Sequence, residues 1–135
     1  MQKAETRIPP LLHSIVLPDL RDYVSKLGPE DWQPFHEGVS AHWFYRDADS
    51  GASAVLLRYQ PGARVAEHEH VGYEHMLVLE GDEYDEKGSY PAGSLVIHPP
   101  GTRHSPGSKT GCIALLIYEK PVRFVEPGSA ASRCR

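Results

Sequence analysis

Short apolar runs, each closed by a turn that contains glycine or proline, set the strongest constraint on how this chain can fold. Glycine and proline number 12 each among 135 residues, which is roughly 18% against an average of about 12%. Turn signals follow about every eight to twelve residues, and no recurring helical period lies between them. The pattern predicts an all-β barrel or sandwich instead of an alternating α/β sheet. Strands are predicted at 39–45, 52–59, 74–79, 94–98 and 112–118.

Length and charge limit the classes of function. A chain of 135 residues corresponds to one domain, so any chemistry must come from a single core and its rim. A net charge of −4 gives no electrostatic basis for gripping a phosphate backbone, and the longest apolar run is far below the roughly 18 residues of a bilayer span. We therefore expect no nucleic-acid partner and no membrane partner. The first residues lack the apolar core of a secretory signal, and we expect a cytoplasmic location.

Three parts of the chain are expected. Residues 1–38 are predicted to form an N-terminal extension that packs on the barrel, residues 39–126 the barrel itself, and residues 127–135 a disordered tail. A short helix is expected between Pro18 and Gly28. Cys112 is interpreted as a small buried residue without a disulfide partner.

Two turn signals divide the middle of the chain. Gly81-Asp82 is expected to end the third strand, because this pair is typical of turns. Residues 85–88 are expected to form a hairpin turn.

Histidines are concentrated in one part of the sequence. Five of the eight lie between positions 68 and 104, a window of 37 residues in which even spreading would place about two. Residues i and i+2 of a strand share a face, so His68 and His70 are expected to project both imidazoles into one space. Glu74 begins the next predicted strand, and His104 follows a turn rich in proline and glycine, so both can reach that space.

Three neutral imidazoles and one carboxylate suit a divalent first-row metal ion, with positions left open for water, dioxygen or substrate. A single histidine of this kind is more often a surface or hydrogen-bonded residue. Four convergent polar groups, however, would be costly to bury unpaired, and one ion satisfies them together. We therefore predict one divalent ion per chain, held by His68, His70, Glu74 and His104.

The spacing of these residues resembles the two motifs of the cupin superfamily. The first motif, G-x5-H-x-H-x3-4-E-x6-G, is matched by Gly62, His68, His70, Glu74 and Gly81. The second, G-x5-P-x-G-x2-H-x3-N, is matched by Gly93, Pro99, Gly101 and His104, with Ser108 in place of the final Asn. That Asn is not a metal ligand in the family, so the departure concerns a turn and not the ligand set.

More narrowly, segments 72–75, 77–82, 84–90 and 99–106 resemble the cupin-like domain of ChrR-type anti-sigma factors and its stand-alone relatives, some of which are similar to acetylacetone dioxygenase. The resemblance implies a jelly-roll barrel, or double-stranded β-helix, that binds one zinc, iron or manganese ion. ChrR-type regulators place a helical zinc-binding domain ahead of the cupin, and the 61 residues before Gly62 contain no cysteine. We therefore do not expect the sigma-binding function to accompany the cupin resemblance.

Further candidates surround the predicted ligands. His98 is expected to line the cavity if Val96 points inward, where it could bind a ligand or substrate. Arg58 and Tyr59 end the strand before the first motif, and whichever faces inward is a candidate to anchor an anion or pair with Glu74. The alternative for Arg58 is a solvated rim position. His75 is expected on the outer face, opposite Glu74.

An apolar wall is predicted around these polar groups. Met76, Val78, Leu115 and Ile117 are expected to line the barrel. A dry wall favours small apolar or dicarbonyl substrates over sugars, which need many polar partners.

Two main functions fit this pattern. The first is a metal-dependent dioxygenase-type enzyme acting on a small carbonyl compound such as a 1,3-diketone, with Glu74, His98 and Arg58 as catalytic candidates. The second is a ChrR-like zinc-binding sensor or regulatory module without turnover. A purely structural metal site ranks last because it needs no open cavity. By resemblance we expect a homodimer, with Trp43, Phe44 and the edge at residues 122–125 as apolar contact surface.

Overall fold

Antiparallel strands provide most of the regular secondary structure in the described part of the chain. The structure is a computed structural model that describes residue 8 and residues 11–125, so the expected tail at 127–135 lies outside the described residues. The described part contains one α-helix, α1 (Leu20–Ser25), and a 3-10 turn at Pro29–Asp31. Its strands are β1 (Gln33–His36), β2 (Val39–Arg46), β3 (Ser53–Tyr59), β4 (His68–Glu69), β5 (Glu74–Asp85), β6 (Gly88–Pro91), β7 (Leu95–His98), β8 (Arg103–His104), β9 (Cys112–Tyr118) and β10 (Arg123–Phe124).

Two antiparallel sheets define the architecture. The larger sheet has the order β1-β2-β3-β9-β5-β6, and β7 also pairs with β5. The smaller sheet has the order β10-β4-β8. The fold is the all-β jelly roll expected from the sequence, with a short helix near its N-terminal end.

Alternation along the central strands separates an inner face from an outer face. The inner core unites apolar side chains from β2, β3, β5 and β9, and burying each large one stabilises the fold by about 1.5–3 kcal/mol. Its members are Val39, Ala41, Val55, Leu57, Tyr59, Val65, Met76, Val78, Cys112, Ala114 and Leu116. Cys112 is therefore a buried core residue, as expected.

The side chains of β9 that face inward are not the ones expected from the sequence. Met76 and Val78 face inward as predicted, but Leu115 packs on the outer face and Ile117 is 40% exposed. A continuous apolar run does not reveal which alternate residues are buried, because both sets are hydrophobic. Ala114 and Leu116 take the inward positions instead.

The N-terminal helix covers part of the outer face. Asp19 caps α1, since its side chain accepts a hydrogen bond from the amide of Asp22 at 3.1 Å. Val24 of the helix and Trp32 pack with Leu56 and Leu79 of the sheet in a second apolar cluster. This contact ties the segment before β1 to the barrel.

Strand β5 is longer than the sequence predicts. The prediction that Gly81-Asp82 ends the third strand is wrong, because β5 continues to Asp85. A register shift against β9 falls between Val78 and Glu80, and Gly81 takes a positive φ of 71°. A Cβ at Gly81 would overlap the carbonyl oxygen of Gly111, so glycine bends the strand here without ending it. The hairpin turn at residues 85–88 is confirmed by the pairing of β5 with β6.

Candidate metal centre

Three strands bring the predicted ligands together. In the small sheet, His68 of β4 and His104 of β8 are directly paired across the strands. His70 lies two residues beyond His68 and therefore projects from the same face. Glu74 is the first residue of β5, and its neighbour there is His98 of β7. The larger sheet thus supplies the carboxylate and the smaller sheet supplies the imidazoles.

The four side chains converge on one point. One ligand atom from each of His68, His70, Glu74 and His104, here called the His/Glu cluster, lies within 4.8 Å of each of the others. The four residues are only 1–6% exposed. Buried polar groups at such density require partners that satisfy them together.

Hydrogen bonds fix the tautomers of two of the histidines. Nδ1 of His68 lies 3.0 Å from the carbonyl oxygen of Ala66, and Nδ1 of His104 lies 3.0 Å from Oδ2 of Asp85. A carbonyl and a carboxylate can only accept, so each Nδ1 must donate. In a neutral imidazole this leaves Nε2 as an unprotonated lone pair.

The third histidine is fixed through a hydroxyl. Oγ1 of Thr102 donates to the carbonyl oxygen of Pro99 at 2.8 Å. The hydroxyl hydrogen is thereby used, so Nδ1 of His70 donates to Oγ1 at 2.9 Å. Nε2 of His70 again carries a lone pair, and it lies 3.3 Å from Oε2 of Glu74. Among the described residues, neither of these two atoms has a hydrogen-bond partner.

These tautomers fit a bound cation. Nε2 of His68 and Nε2 of His104 are 3.1 Å apart, and in neutral rings no hydrogen remains to lie between them. Two lone pairs at that distance repel each other unless a positive ion lies between them. The separation suits two ligands of one ion at the usual metal–nitrogen distance of about 2.0–2.1 Å. The donor set of three imidazoles and one carboxylate fits zinc, iron or manganese.

Burial keeps one of these imidazoles in the form that can bind metal. Desolvation lowers the pKa of His68 to about 4, and the neighbouring His104 acts in the same direction. His68 is therefore neutral at pH 7, with no proton to be displaced by a metal ion.

A small inner chamber lies beside the cluster. It has a volume of about 30 Å³ and is lined by His68, Glu74 and His104 together with Glu83, His36 and nine other residues, among them Tyr59 and Phe124. Such a space holds roughly two water-sized molecules. On this side the cluster faces a very small, mostly apolar space, and a separate cavity of about 250 Å³ is lined by Asp85, His98 and His104 among others.

Glu83 is a buried carboxyl that the sequence analysis missed. It is 2% exposed, and within the described part of the chain its Oε1 has no hydrogen-bond partner. Burial, reinforced by the negative charges of Glu74 and Asp85, raises the pKa of Glu83 to about 8, although Tyr59 opposes the rise through a hydrogen bond. At neutral pH the group is mainly protonated, so it can donate a hydrogen bond into the chamber.

The structure brings His98 to the cluster. Its ring stacks on that of His70 with centroids 4.5 Å apart, and it also lies 4.5 Å from the ring of His104. Its Nε2 is buried without a hydrogen-bond partner among the described residues. Burial lowers its pKa to about 4, so the ring is neutral at pH 7. His75 is exposed on the outer face, as expected.

Arg58 is not brought to the cluster. Its guanidinium lies 4.5 Å above the ring of Trp32, on the outer side of β3. Tyr59, the next residue, faces inward and lines the chamber, because successive side chains of a strand point to opposite faces. Of the two residues at this strand end, the tyrosine is therefore the one near the site.

An antiparallel jelly roll with this buried set of three histidines and one glutamate defines the chain as a cupin with a candidate metal centre. The chain belongs to the ChrR cupin-like domain family, whose model matches residues 21–123.

The comparisons also give individual relatives. Anti-sigma-E factor ChrR of Cereibacter sphaeroides is 33% identical over 108 residues, which cover 78% of this chain and 50% of that protein. The chain thus spans about half the length of this curated relative. The crystal structure of Rhodobacter sphaeroides SigE in complex with the anti-sigma ChrR matches with 30% identity and a TM-score of 0.62, over 73% of this chain and 55% of that one.

A dioxygenase structure shares the fold. Acetylacetone dioxygenase from Acinetobacter johnsonii matches 94% of this chain and 86% of its own, with a TM-score of 0.72 and 14% identity. At this identity the likeness concerns the fold alone. None of the helices in the described ranges is long and apolar enough to cross a membrane.

We predict that the stability of the metal-free protein is greatest near pH 6.5. Below that pH, His68 and His98 are protonated in the unfolded chain but neutral in the fold, so the free energy of unfolding falls on acidification. Between pH 6.5 and 8 the folded chain holds the proton on Glu83 that the unfolded chain has lost. The free energy of unfolding should then fall by about 2 kcal/mol as pH rises.

Urea denaturation of Glu83→Gln in the presence of a chelator tests the predicted fall in the free energy of unfolding between pH 6.5 and 8. The variant should lose the decline between pH 6.5 and 8, whereas Glu80→Gln, an exposed position on the same strand, should keep it. An alkaline decline of equal size in Glu83→Gln and the wild type would contradict the assignment.

Proposed function

We propose that the chain is a divalent-metal cupin enzyme of the oxygenase type, acting on a small carbonyl compound such as a 1,3-diketone. One zinc, iron or manganese ion per chain would be held by His68, His70, Glu74 and His104. The observation that carries the proposal is the convergence of three Nε2 lone pairs and one carboxylate in a buried space. The identity of the bound metal distinguishes a catalytic site from a site that binds metal without turnover, because this donor set accepts several ions.

The chemistry divides between the ion and the chain. When bound, a divalent ion supplies Lewis-acid polarisation of a carbonyl, and iron also supplies the chemistry of dioxygen. Glu74 is proposed as a ligand or a proton acceptor. Within the described residues the Nε2 of His98 has no partner and is free to bond to a substrate oxygen, and Glu83 can donate a hydrogen bond at neutral pH. A metal of purely structural role would require neither of these two groups.

A second cavity supports a small apolar substrate. An outer cavity of about 480 Å³ is lined by Trp43 and by polar residues that include Arg46 and Asp47, and it shares Phe35, Tyr118, Val122 and Phe124 with the inner chamber. A 1,3-diketone is too large for the 30 Å³ chamber as it stands, so it would have to displace part of this wall. Of the four residues that separate the two cavities, Phe124 has the most room to move, because it is 42% exposed. Aromatic walls favour an apolar carbonyl compound over a sugar.

The second candidate is a regulatory cupin module that binds zinc without turnover. The 33% identity to an anti-sigma factor and the small size of the chamber favour it. In that case a sigma factor is a candidate partner, as in the solved complex of SigE with ChrR. Tightly held zinc without oxygen consumption would distinguish this candidate from the enzyme.

We predict that His104→Ala lowers metal occupancy at least tenfold, because it removes one of the converging lone pairs and leaves its partners unpaired. Elemental analysis of protein purified without added metal is the measurement. His75→Ala, which removes an exposed histidine from the outer face of β5, should leave the occupancy unchanged. Equal occupancy in His104→Ala and the wild type would remove His104 from the site.

We predict that the wild type, loaded with Fe(II), consumes dioxygen when acetylacetone is added. An oxygen electrode measures the rate, with His104→Ala and the zinc-loaded wild type as controls that should be inactive. If the iron-loaded protein consumes no dioxygen with a series of small diketones, the diketone oxygenase proposal fails and the regulatory module is favoured.

We also propose that the chain forms a homodimer. Trp43 and Phe44, expected at the interface from the sequence, are half-buried against the chain's own apolar clusters. The outer face of β7 and β9 is a better candidate surface, since Leu95, Ile97 and Ile117 are 61%, 50% and 40% exposed. A two-fold axis through the surface formed by Leu95, Ile97 and Ile117 would bury the same three residues on both copies.

Light scattering after size-exclusion chromatography tests the dimer. The wild type should elute at twice the 15.0 kDa chain mass, and Ile97→Glu should elute as a monomer because it places a charge in the interface. Leu12→Glu, which alters an exposed apolar residue outside this surface, should stay dimeric. A monomeric wild type would refute the proposal.

A further inference from the structure

Asp85, at the end of β5, is a buried carboxylate with a specific set of contacts. It is 8% exposed, and its Oδ2 accepts the hydrogen bond from Nδ1 of His104 at 3.0 Å. Its Oδ1 accepts two more, from the hydroxyl of Tyr90 at 2.7 Å and from the amide of Lys87 at 2.9 Å. The hairpin between β5 and β6 therefore holds this carboxylate in one orientation, aimed at the ring of His104.

The partner of His104 differs from those of the other two cluster histidines. His68 donates to a backbone carbonyl and His70 donates to a hydroxyl, and both acceptors are neutral. Among the three, His104 alone donates to an acidic side chain. A negative acceptor at Nδ1 increases the electron density at Nε2 and strengthens its bond to a cation.

Charge balance gives Asp85 a second role. A buried divalent ion loses its hydration, and negative charges nearby offset part of that cost. Glu74 supplies one of them within the His/Glu cluster. Both oxygens of Asp85 accept hydrogen bonds, Oδ2 from His104 and Oδ1 from Tyr90 and Lys87, and this is the arrangement of an ionised carboxylate.

We propose that Asp85, held in place by Tyr90, is a positioning residue that fixes the tautomer of His104 and supplies the second negative charge to a divalent ion in the His/Glu cluster. This inference rests on the proposed metal site and names two residues outside the predicted ligand set. From the sequence, Asp85 is expected only in the hairpin turn at residues 85–88, and Tyr90 has no role of its own.

Zinc titration of the metal-free protein against a competing chelator measures the first consequence. Asp85→Asn keeps an oxygen acceptor for Nδ1 of His104 but removes the charge, and we expect its zinc affinity to fall 10- to 100-fold. Tyr90→Phe removes one donor to Oδ1, and we expect a smaller loss. Asp82→Asn, at a half-buried carboxylate of the same strand that accepts a hydrogen bond from Thr110, should bind zinc as the wild type does.

Cobalt substitution separates positioning from a general loss of stability. At saturating Co(II), the d–d absorption bands report the ligand field of the bound ion. We expect Asp85→Asn to shift these bands relative to both the wild type and Asp82→Asn. A merely structural role for Asp85 would lower stability without moving the bands at saturation.

The tautomer of His104 can be measured in the wild type, so this test does not depend on whether a variant folds. A long-range proton–nitrogen NMR correlation of the zinc-loaded protein should show His104 protonated at Nδ1. Protonation at Nε2 would overturn the proposal.

Three further outcomes are decisive. A wild type that binds no zinc would overturn both the metal site and this inference. A zinc-binding wild type matched by Asp85→Asn in affinity and in cobalt spectrum would overturn the inference alone. Two ions per chain would also overturn it, because Asp85, His98 and His104 form a second group that could ligate an ion directly.

Discussion

The structure depends on placing four polar groups close together in the buried interior. Each of the three neutral imidazoles donates its only N–H, at Nδ1, to an acceptor outside the cluster. The three Nε2 atoms therefore point at one another with lone pairs only. Such an arrangement is unfavourable in an apolar interior unless positive charge occupies the centre. The outward hydrogen bonds to Ala66, Thr102 and Asp85 therefore matter as much as the ligands themselves.

Two properties of β-structure produce this geometry. Alternation along a strand aims His68 and His70 the same way, and direct pairing of β4 with β8 sets His104 opposite His68. The bulge near Gly81 then lets one strand of the larger sheet contact the cluster twice, since β5 begins at Glu74 beside the cluster and reaches His104 again at Asp85. A strand that ended at Gly81 could not have supplied the carboxylate behind His104.

Much of the fold and of the candidate site could be predicted from the sequence, because both follow from local spacing. Turn signals and short apolar runs gave an all-β fold, and the interval between His68 and His70 placed two side chains on one face. The missed features depend on tertiary contacts. Glu83 and Asp85 alternate like strand residues, but they follow a glycine that is typical of a turn, and the bulge depends on packing against Gly111.

Side-chain direction was the other weak point. The continuous apolar sequence of β9 fits either face, so the inward phase of Ala114 and Leu116 could not be derived from hydrophobicity. Arg58 and Tyr59 were left open for the same reason, and the position of Trp32 under the guanidinium decided the outcome. His98 could be placed only conditionally, since its orientation followed that of Val96.

The small sheet has a consequence for dynamics. Strands β4 and β8 are two residues long, so their ladder contributes few backbone hydrogen bonds and little local cooperativity. An ion shared between these strands and Glu74 would act as a cross-link that closes the segment from residue 68 to residue 104. Detachment of the small sheet and departure of the ion would then be a single opening event, and the lifetime of the bound ion would equal the lifetime of the closed sheet.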